Sequence, residues 1–132
     1  HLALLFLDLD SFKLVNDRHG HDAGDAVLKE VAIRLRKEIR ESDTACRIGG
    51  DEFLIILSEV SGKAEVESLC QRLIASVTQP MFLGGNKHVV GISIGAALYP
   101  ECGESLEELR KRADTSMYEV KRGGKNNFSF AR

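Results

Sequence analysis

The chain opens on a continuous apolar run, Leu2 to Leu7, that ends in Asp8-Leu9-Asp10. A run without alternation predicts a strand over 2–10 with both faces covered. From about Ala23 to Arg40 the period changes. Val27, Val31, Leu35 and Ile39 recur every four residues, with Leu28 and Ala32 widening the stripe, which predicts a helix. Arg47-Ile48 and Phe53 to Leu57 flank Gly49-Gly50-Asp51-Glu52, a hairpin signature because paired glycines supply the positive φ of a tight turn. Val66, Leu69, Cys70, Leu73 and Val77 mark a second helix, closed by Pro80. Gly84-Gly85-Asn86 predicts a turn between a short segment, Met81 to Leu83, and a long strand, His88 to Leu98. Ser105 and Glu108 read as a capping box ahead of a third helix on Leu106, Leu109, Ala113, Met117 and Val120, stopped by Gly123-Gly124. Asn127 to Phe130 reads as a last strand. This order predicts an α/β (α+β) sandwich, a central and mostly antiparallel sheet flanked by helices.

Length and composition narrow the function classes. The 132 residues, 43% hydrophobic and 29% charged, make one globular domain over 1–132 and exclude disorder. A formal net charge of -2 lacks the basic footprint of a nucleic-acid binder. No apolar run approaches the roughly 20 residues of a membrane span, so no membrane contact is expected of this segment. Cys46, Cys70 and Cys102 form neither a zinc pattern nor a disulfide framework and suit a reducing, cytoplasmic setting. The chain starts inside an apolar strand without a methionine. It is therefore expected to be an N-terminally truncated view of a larger multidomain signalling protein, whose other regions could carry a membrane anchor.

Several constellations could carry chemistry. Asp8 and Asp10, two apart on a strand, point to one face. Carboxylates placed so repel one another and resist burial, and a hard divalent cation between them would answer both problems. The plainer alternative is that one of them caps the following turn. Asp51 and Glu52 sit at the hairpin tip, where Gly-Asp is also ordinary turn chemistry. As strand neighbours they face opposite ways unless the turn distorts the backbone. Together, a strand ending in Asp-x-Asp beside an acidic hairpin is the layout of a palm-type nucleotidyl-transfer site. There, two Mg²⁺ ions about 4 Å apart activate a 3′-hydroxyl and stabilise the leaving pyrophosphate. Lys13, Lys121 and Lys125 stand near the ends of elements that could converge to neutralise a triphosphate, although each alone reads as a solvated lysine. No Walker loop or dinucleotide fingerprint is present. Asn16, His21, Asp22 and Asp25 surround Gly20 and Gly24: turn and cap chemistry, or donors and acceptors for a purine edge. Arg40 and Asp43 read as a helix end.

Taken in order, these segments resemble the GGDEF domain of bacterial diguanylate cyclases. Arg47-Ile48-Gly49-Gly50-Asp51-Glu52-Phe53 carries the name-giving stretch intact. FLDLDSFKLVND resembles the family's first metal-binding segment, GHDAGD (Gly20 to Asp25) its guanine-binding segment, and RADTSMYEVKRGGKN (Arg112 to Asn126) its C-terminal phosphate-binding helix. The resemblance implies a palm-like nucleotidyl cyclase fold and the Mg²⁺- or Mn²⁺-dependent condensation of two GTP into cyclic di-GMP and two pyrophosphates. It implies that Asp8, the Leu9 carbonyl, Asp51 and Glu52 hold metal, with Asp51 a candidate acceptor of the 3′-hydroxyl proton. Lys13 and the Ser11 and Phe12 amides would stabilise phosphate charge. Asn16 and Asp25 would hold guanine with His21 lining the pocket, Lys121 and Lys125 would contact the γ-phosphate, and Gly49-Gly50 would admit the substrate closely. Arg40 and Asp43, with Arg72, match the family's product-inhibition site. Each domain would hold one GTP, so catalysis requires a homodimer, and the isolated domain is expected to associate weakly. Where the family usually has arginine this chain has Lys125, which keeps the charge and loses the fork. The family's opening Asp-x-Leu-Thr stretch is missing. A catalytically weak or inactive GTP- or cyclic di-GMP-binding regulatory module is the alternative, disfavoured because Asp8, Asp51 and Glu52 are all present.

Overall fold

The computed structural model describes residues 1–132. Its strands are β1 (Leu2–Asp10), β2 (Thr44–Gly49), β3 (Glu52–Leu57), β4 (Met81–Leu83), β5 (Asn86–His88), β6 (Gly91–Tyr99) and β7 (Phe128–Phe130). Its helices are α1 (Phe12–His19), α2 (His21–Glu38), α3 (Lys63–Val77) and α4 (Leu106–Arg122). The main sheet has the order β2-β3-β1-β6-β7. It is antiparallel except for the parallel pair β6–β7, which α4 connects. This is the mixed α/β, mostly antiparallel architecture that the pattern predicts.

The apolar opening forms the central strand because both of its faces are buried. Ala3, Leu5, Leu7 and Leu9 pack into the larger core with Val27, Val31 and Leu35 of α2 and Val66, Leu69 and Leu73 of α3. Leu4 and Phe6 pack on the other face with Leu109, Ala113 and Met117 of α4. The period of two then carries Asp8 and Asp10 onto the α4 face, at the end of the strand. There, α4 lies close on the sheet: a Cβ on Gly95 would stand 2.0 Å from the Ala113 carbonyl oxygen and 2.4 Å from the Met117 amide nitrogen. Only glycine admits a helix backbone at that separation. The close docking brings the last turn of α4 to the end of β1.

The structure departs from the sequence expectations at four places. The helix predicted from Ala23 to Arg40 spans His21–Glu38, and a separate α1 precedes it. Only Phe12 and Val15 of α1 are buried, too few anchors to register as a period. The predicted strand His88–Leu98 is two strands. Asn86–His88 pairs with β4 in its own small sheet, and β6 begins at Gly91. Strand β2 starts at Thr44 rather than at Arg47, and a register shift between Arg47 and Gly49 distorts the hairpin. The capping box is half made. Ser105 Oγ accepts from the Glu108 amide at 3.1 Å, whereas Glu108 Oε1 accepts from the Glu104 amide at 3.2 Å and leaves Ser105 N.

Candidate functional site

The acidic residues of β1 and of the β2–β3 hairpin meet at the end of the central strand. The ladder pairs Asp8 with Glu52, and the Asp51 carbonyl accepts from the Leu9 amide at 3.1 Å, which ties the hairpin tip to β1. Asp51 is not in the regular strand. It sits in the turn, after Gly50 at φ 52°, so it escapes the alternation that would have sent it away from Glu52. Both acids therefore act on Asp8. Burial, then the Asp51 charge, push the Asp8 carboxyl up to about 7. Lys121 pulls against this, and Glu52 adds to it. Asp8 Oδ1 is buried without a hydrogen-bond partner.

Asp10 is satisfied where Asp8 is not. It is 4% exposed and accepts from Ser93 Oγ at 2.8 Å and from the Asn126 amide at 2.8 Å. The Lys121 ammonium lies 2.8 Å from Asp10 Oδ1 and 3.6 Å from Asp8 Oδ2, and donates to the Leu9 carbonyl at 3.0 Å. The positive charge that the Asp-x-Asp pair demanded is supplied, at Asp10, by this lysine from the far end of the chain.

Beyond β1, Ser11 adopts a left-handed conformation (φ 65°, ψ 17°) and turns the chain directly into α1. The first amides of that helix, from Phe12 onward, lack intrahelical acceptors, as at any helix start. Lys13 is exposed on its first turn, and its ammonium makes no hydrogen bond or ion pair within the chain. Gly20, at φ 90°, joins α1 to α2 in one residue. The two helices touch where Asn16 meets Gly24: a Cβ on Gly24 would lie 1.9 Å from Asn16 Oδ1. Asn16 is half-buried, while His21 and Asp25 are exposed near the start of α2. The sequence reading named Gly24 within GHDAGD but gave it no role; its missing side chain is what leaves room for Asn16. The glycine itself was the available signal.

At the hairpin tip Gly49 and Gly50 are exposed, and no protein atom lies within 4 Å of a Cβ built on either, so the space beside them is open. On the α4 side the chain runs through Lys125 (φ 67°) and Asn126 (φ 48°), consecutive left-handed residues. The Lys125 side chain is exposed and unpaired. Asn126, also given no role, accepts through Oδ1 from the Ile92 amide at 3.2 Å.

A second cluster lies apart from these acids. Arg40, Asp43 and Arg72 line one cavity of about 200 Å³ with Glu38, Leu57 and Leu69. Arg40 donates from its amide to Asp43 Oδ2 at 3.0 Å and from Nε at 3.3 Å, and its Nη2 donates to the Ser58 carbonyl. Burial disfavours the charged Asp43, but the Arg40 amide, the Arg40 guanidinium and the Ser58 amide outweigh it and hold the carboxyl below its usual value. Arg72 pairs with Glu38 at 3.5 Å.

The donor set fits a hard divalent cation. No three acidic, histidine or cysteine side chains enclose an ion by themselves. What the site offers is an orphaned Asp8 oxygen, Asp51 and Glu52 beside it, and the Leu9 carbonyl within the same strand end. Mg²⁺ binds in this open manner, through one or two carboxylates and the oxygens of a substrate phosphate.

Comparison with known proteins agrees with this layout. The family model described as "Diguanylate cyclase, GGDEF domain" matches residues 1–127. The chain is 42% identical over 128 residues to the bifunctional diguanylate cyclase/cyclic di-GMP phosphodiesterase MucR of Pseudomonas aeruginosa, covering 97% of this chain and 18% of MucR. It thus spans less than a fifth of that relative's length. The crystal structure of the GGDEF domain of PA1120 (YfiN or TpbB) from the same organism superposes with a TM-score of 0.97 at 41% identity, over 99% of this chain and 82% of that one. The GGDEF domain of DgcB from Caulobacter crescentus, solved in complex with cyclic di-GMP, superposes with a TM-score of 0.85 at 30% identity, over 98% and 77% of the two chains. Sequence, sheet order and the acidic hairpin beside the central strand agree on one assignment: the chain belongs to the GGDEF family of diguanylate cyclase domains.

Proposed function

We propose that this chain is a catalytically competent diguanylate cyclase domain that joins two GTP molecules into cyclic di-GMP and releases two pyrophosphates. The observation that carries the reading is the Asp8 carboxylate, with one oxygen buried and unpartnered, gathered with Asp51 and Glu52 at the end of the central strand. Asp8, the Leu9 carbonyl, Asp51 and Glu52 would hold Mg²⁺ or Mn²⁺. Such an ion supplies Lewis acidity at the attacking 3′-hydroxyl and charge neutralisation at the leaving pyrophosphate. The chain's own groups do the rest. Asn16 and Asp25 hold the guanine edge with His21 beside them, and Asp25 accepts from its N–H donors. Lys13 and the Ser11 and Phe12 amides neutralise phosphate oxygens at the start of α1. Lys121 and Lys125 meet the γ-phosphate, and the open face of Gly49-Gly50 admits the nucleotide. Asp51 would accept the 3′-hydroxyl proton.

One domain holds one GTP, so two copies must face each other to close the product ring. Purified protein given GTP and Mg²⁺ should form cyclic di-GMP at a rate rising faster than linearly with protein concentration. Product mass and rate order settle the matter: absence of product at every concentration sinks the enzyme reading, and a strictly linear rate sinks the two-copy requirement.

Arg40, Asp43 and Arg72 form the inhibitory product site in this reading. Arg40 presents a fork suited to guanine or phosphate, already oriented by Asp43. Arg40→Ala is expected to weaken cyclic di-GMP binding by about 30- to 100-fold, the loss of a charge-assisted forked contact. Turnover should then no longer slow as product accumulates. Calorimetric titration with cyclic di-GMP checks this, and equal affinity for the two proteins removes Arg40 from the site.

A further inference from the structure

We infer that Asp10 is a positioning residue for triphosphate recognition: it fixes Lys121 and the Lys125–Asn126 turn so that both lysines address the terminal phosphate. This rests on the reading of Lys121 and Lys125 given above and adds the residue that sets their geometry. The two aspartates of Asp8-Leu9-Asp10 have opposite surroundings. Asp8 keeps an unpartnered oxygen and feels the neighbouring acids. Asp10 has both oxygens engaged, Oδ1 by Ser93 Oγ and the Lys121 ammonium and Oδ2 by the Asn126 amide. Those partners come from three places: β6, the last turn of α4, and the turn beyond it. A carboxylate buried to 4% exposure and held by three donors is poorly placed to ligate anything else.

The contacts explain how the turn keeps its shape. Lys125 and Asn126 are consecutive non-glycine residues in the left-handed region, a conformation costing about 1–2 kcal/mol per residue for most side chains. A charged acceptor for the Asn126 amide, and Asn126 Oδ1 on the Ile92 amide at 3.2 Å, hold it in place. The close fit extends to Gly91, where a Cβ would stand 3.0 Å from Asp10 Oδ2 and 3.1 Å from Asn126 Oδ1. Lys121 is oriented by the same carboxylate. Its ammonium carries three donors. One goes to Asp10, and the one now on the Leu9 carbonyl is released when that carbonyl turns to the metal, so that donors remain for phosphate oxygens. Without Asp10, Lys121 would swing toward Asp8, and the turn would lose the bond that sets the direction of Lys125.

The experiment compares GTP with GDP, because only GTP has a γ-phosphate. Dissociation constants for both are measured by calorimetry in the presence of Mg²⁺ on wild type, Asp10→Asn, Lys121→Met and the double variant. In Asp10→Asn the carboxamide nitrogen faces donors, so the lysine and the turn are released with little change in volume. GTP binding should weaken about 10- to 100-fold, as for loss of charge-assisted contacts, and GDP binding by less than about 3-fold. In the Lys121→Met background Asp10→Asn should have a distinctly smaller effect on GTP, the coupling expected of residues that act together. Ser93→Ala, which removes one anchor of Asp10 and keeps its charge, should lower the GTP-over-GDP preference in the same direction by about 2- to 5-fold and serves should Asp10→Asn not fold. Parallel loss of GTP and GDP in the folded variants would make Asp10 merely structural and overturn the inference. A wild-type protein that binds GTP and GDP equally would instead overturn the γ-phosphate role of the lysines, and the inference with it.

Discussion

Asp8→Asn is expected to lower cyclic di-GMP formation by about 10³-fold or more, the several kcal/mol that loss of a metal ligand adds to the barrier. The same substitution should stabilise the folded domain in a chelator. Burial and the Asp51 and Glu52 charges push the Asp8 carboxyl up to about 7, against an ordinary value of 3.8. The folded state therefore holds the proton more tightly than the unfolded chain. Below about pH 3 Asp8 is neutral in both states and costs nothing. Between about pH 3 and 7 the unfolded chain ionises and the native state resists, so folding becomes steadily less favourable. Above about pH 7 that cost is constant. Asparagine stays neutral throughout. The melting temperature of Asp8→Asn should match wild type near pH 3 and exceed it by a few degrees at pH 8, about 1 kcal/mol once the partial exposure of Asp8 is allowed for. Added Mg²⁺ should close that gap by raising wild type alone. A pH-independent or reversed gap in thermal melts would show that Asp8 is not the strained member of the acidic cluster.

The second large effect is expected at Gly24. A Cβ there would stand 1.9 Å from Asn16 Oδ1, 2.9 Å from Asn16 Cγ and 3.2 Å from Phe12 Cζ. The obstructing atoms belong mainly to the end of a movable side chain, so Gly24→Ala should displace Asn16 rather than part the helices. Alanine is also favoured over glycine within a helix by about 1 kcal/mol, which offsets the repacking of Asn16. Melting should shift by no more than a few degrees. Guanine recognition should suffer instead. A polar site that loses its matched partner loses discrimination, by as much as about 10⁴ where the contact is fully formed. A fall of about 10² or more in the preference for GTP over ATP is expected. Asn16→Ala should reproduce it, and the pair of substitutions together should do no more than either alone. Competition binding with the two nucleotides decides the point, and an unchanged preference in Gly24→Ala would detach Asn16 from the base.

The sequence by itself determined the elements whose burial is one-dimensional. An unbroken apolar run has to be covered on both faces, so Leu2 to Asp10 became the central strand and its period placed Asp8 and Asp10 together. Glycine pairs and four-residue spacing likewise marked the hairpin, α2, α3 and α4, because turns and helical faces are local matters of φ and side-chain direction. Only the tertiary structure decided what the two aspartates do. Their difference arises from Ser93, Lys121, Asn126 and the hairpin acids, residues far along the chain that reach β1 through sheet order and through the close docking of α4 at Gly95. Helix α1 was equally illegible: with two buried residues it has no period of its own and is held by its packing against α2. The break between β5 and β6 belongs to the same class. Val90 is drawn into the core, and β6 begins only at Gly91, where Asp10 and Asn126 crowd the backbone. In each case the deciding energy is long-range desolvation and pairing, which depends on which distant groups the fold brings near and leaves no mark in local spacing.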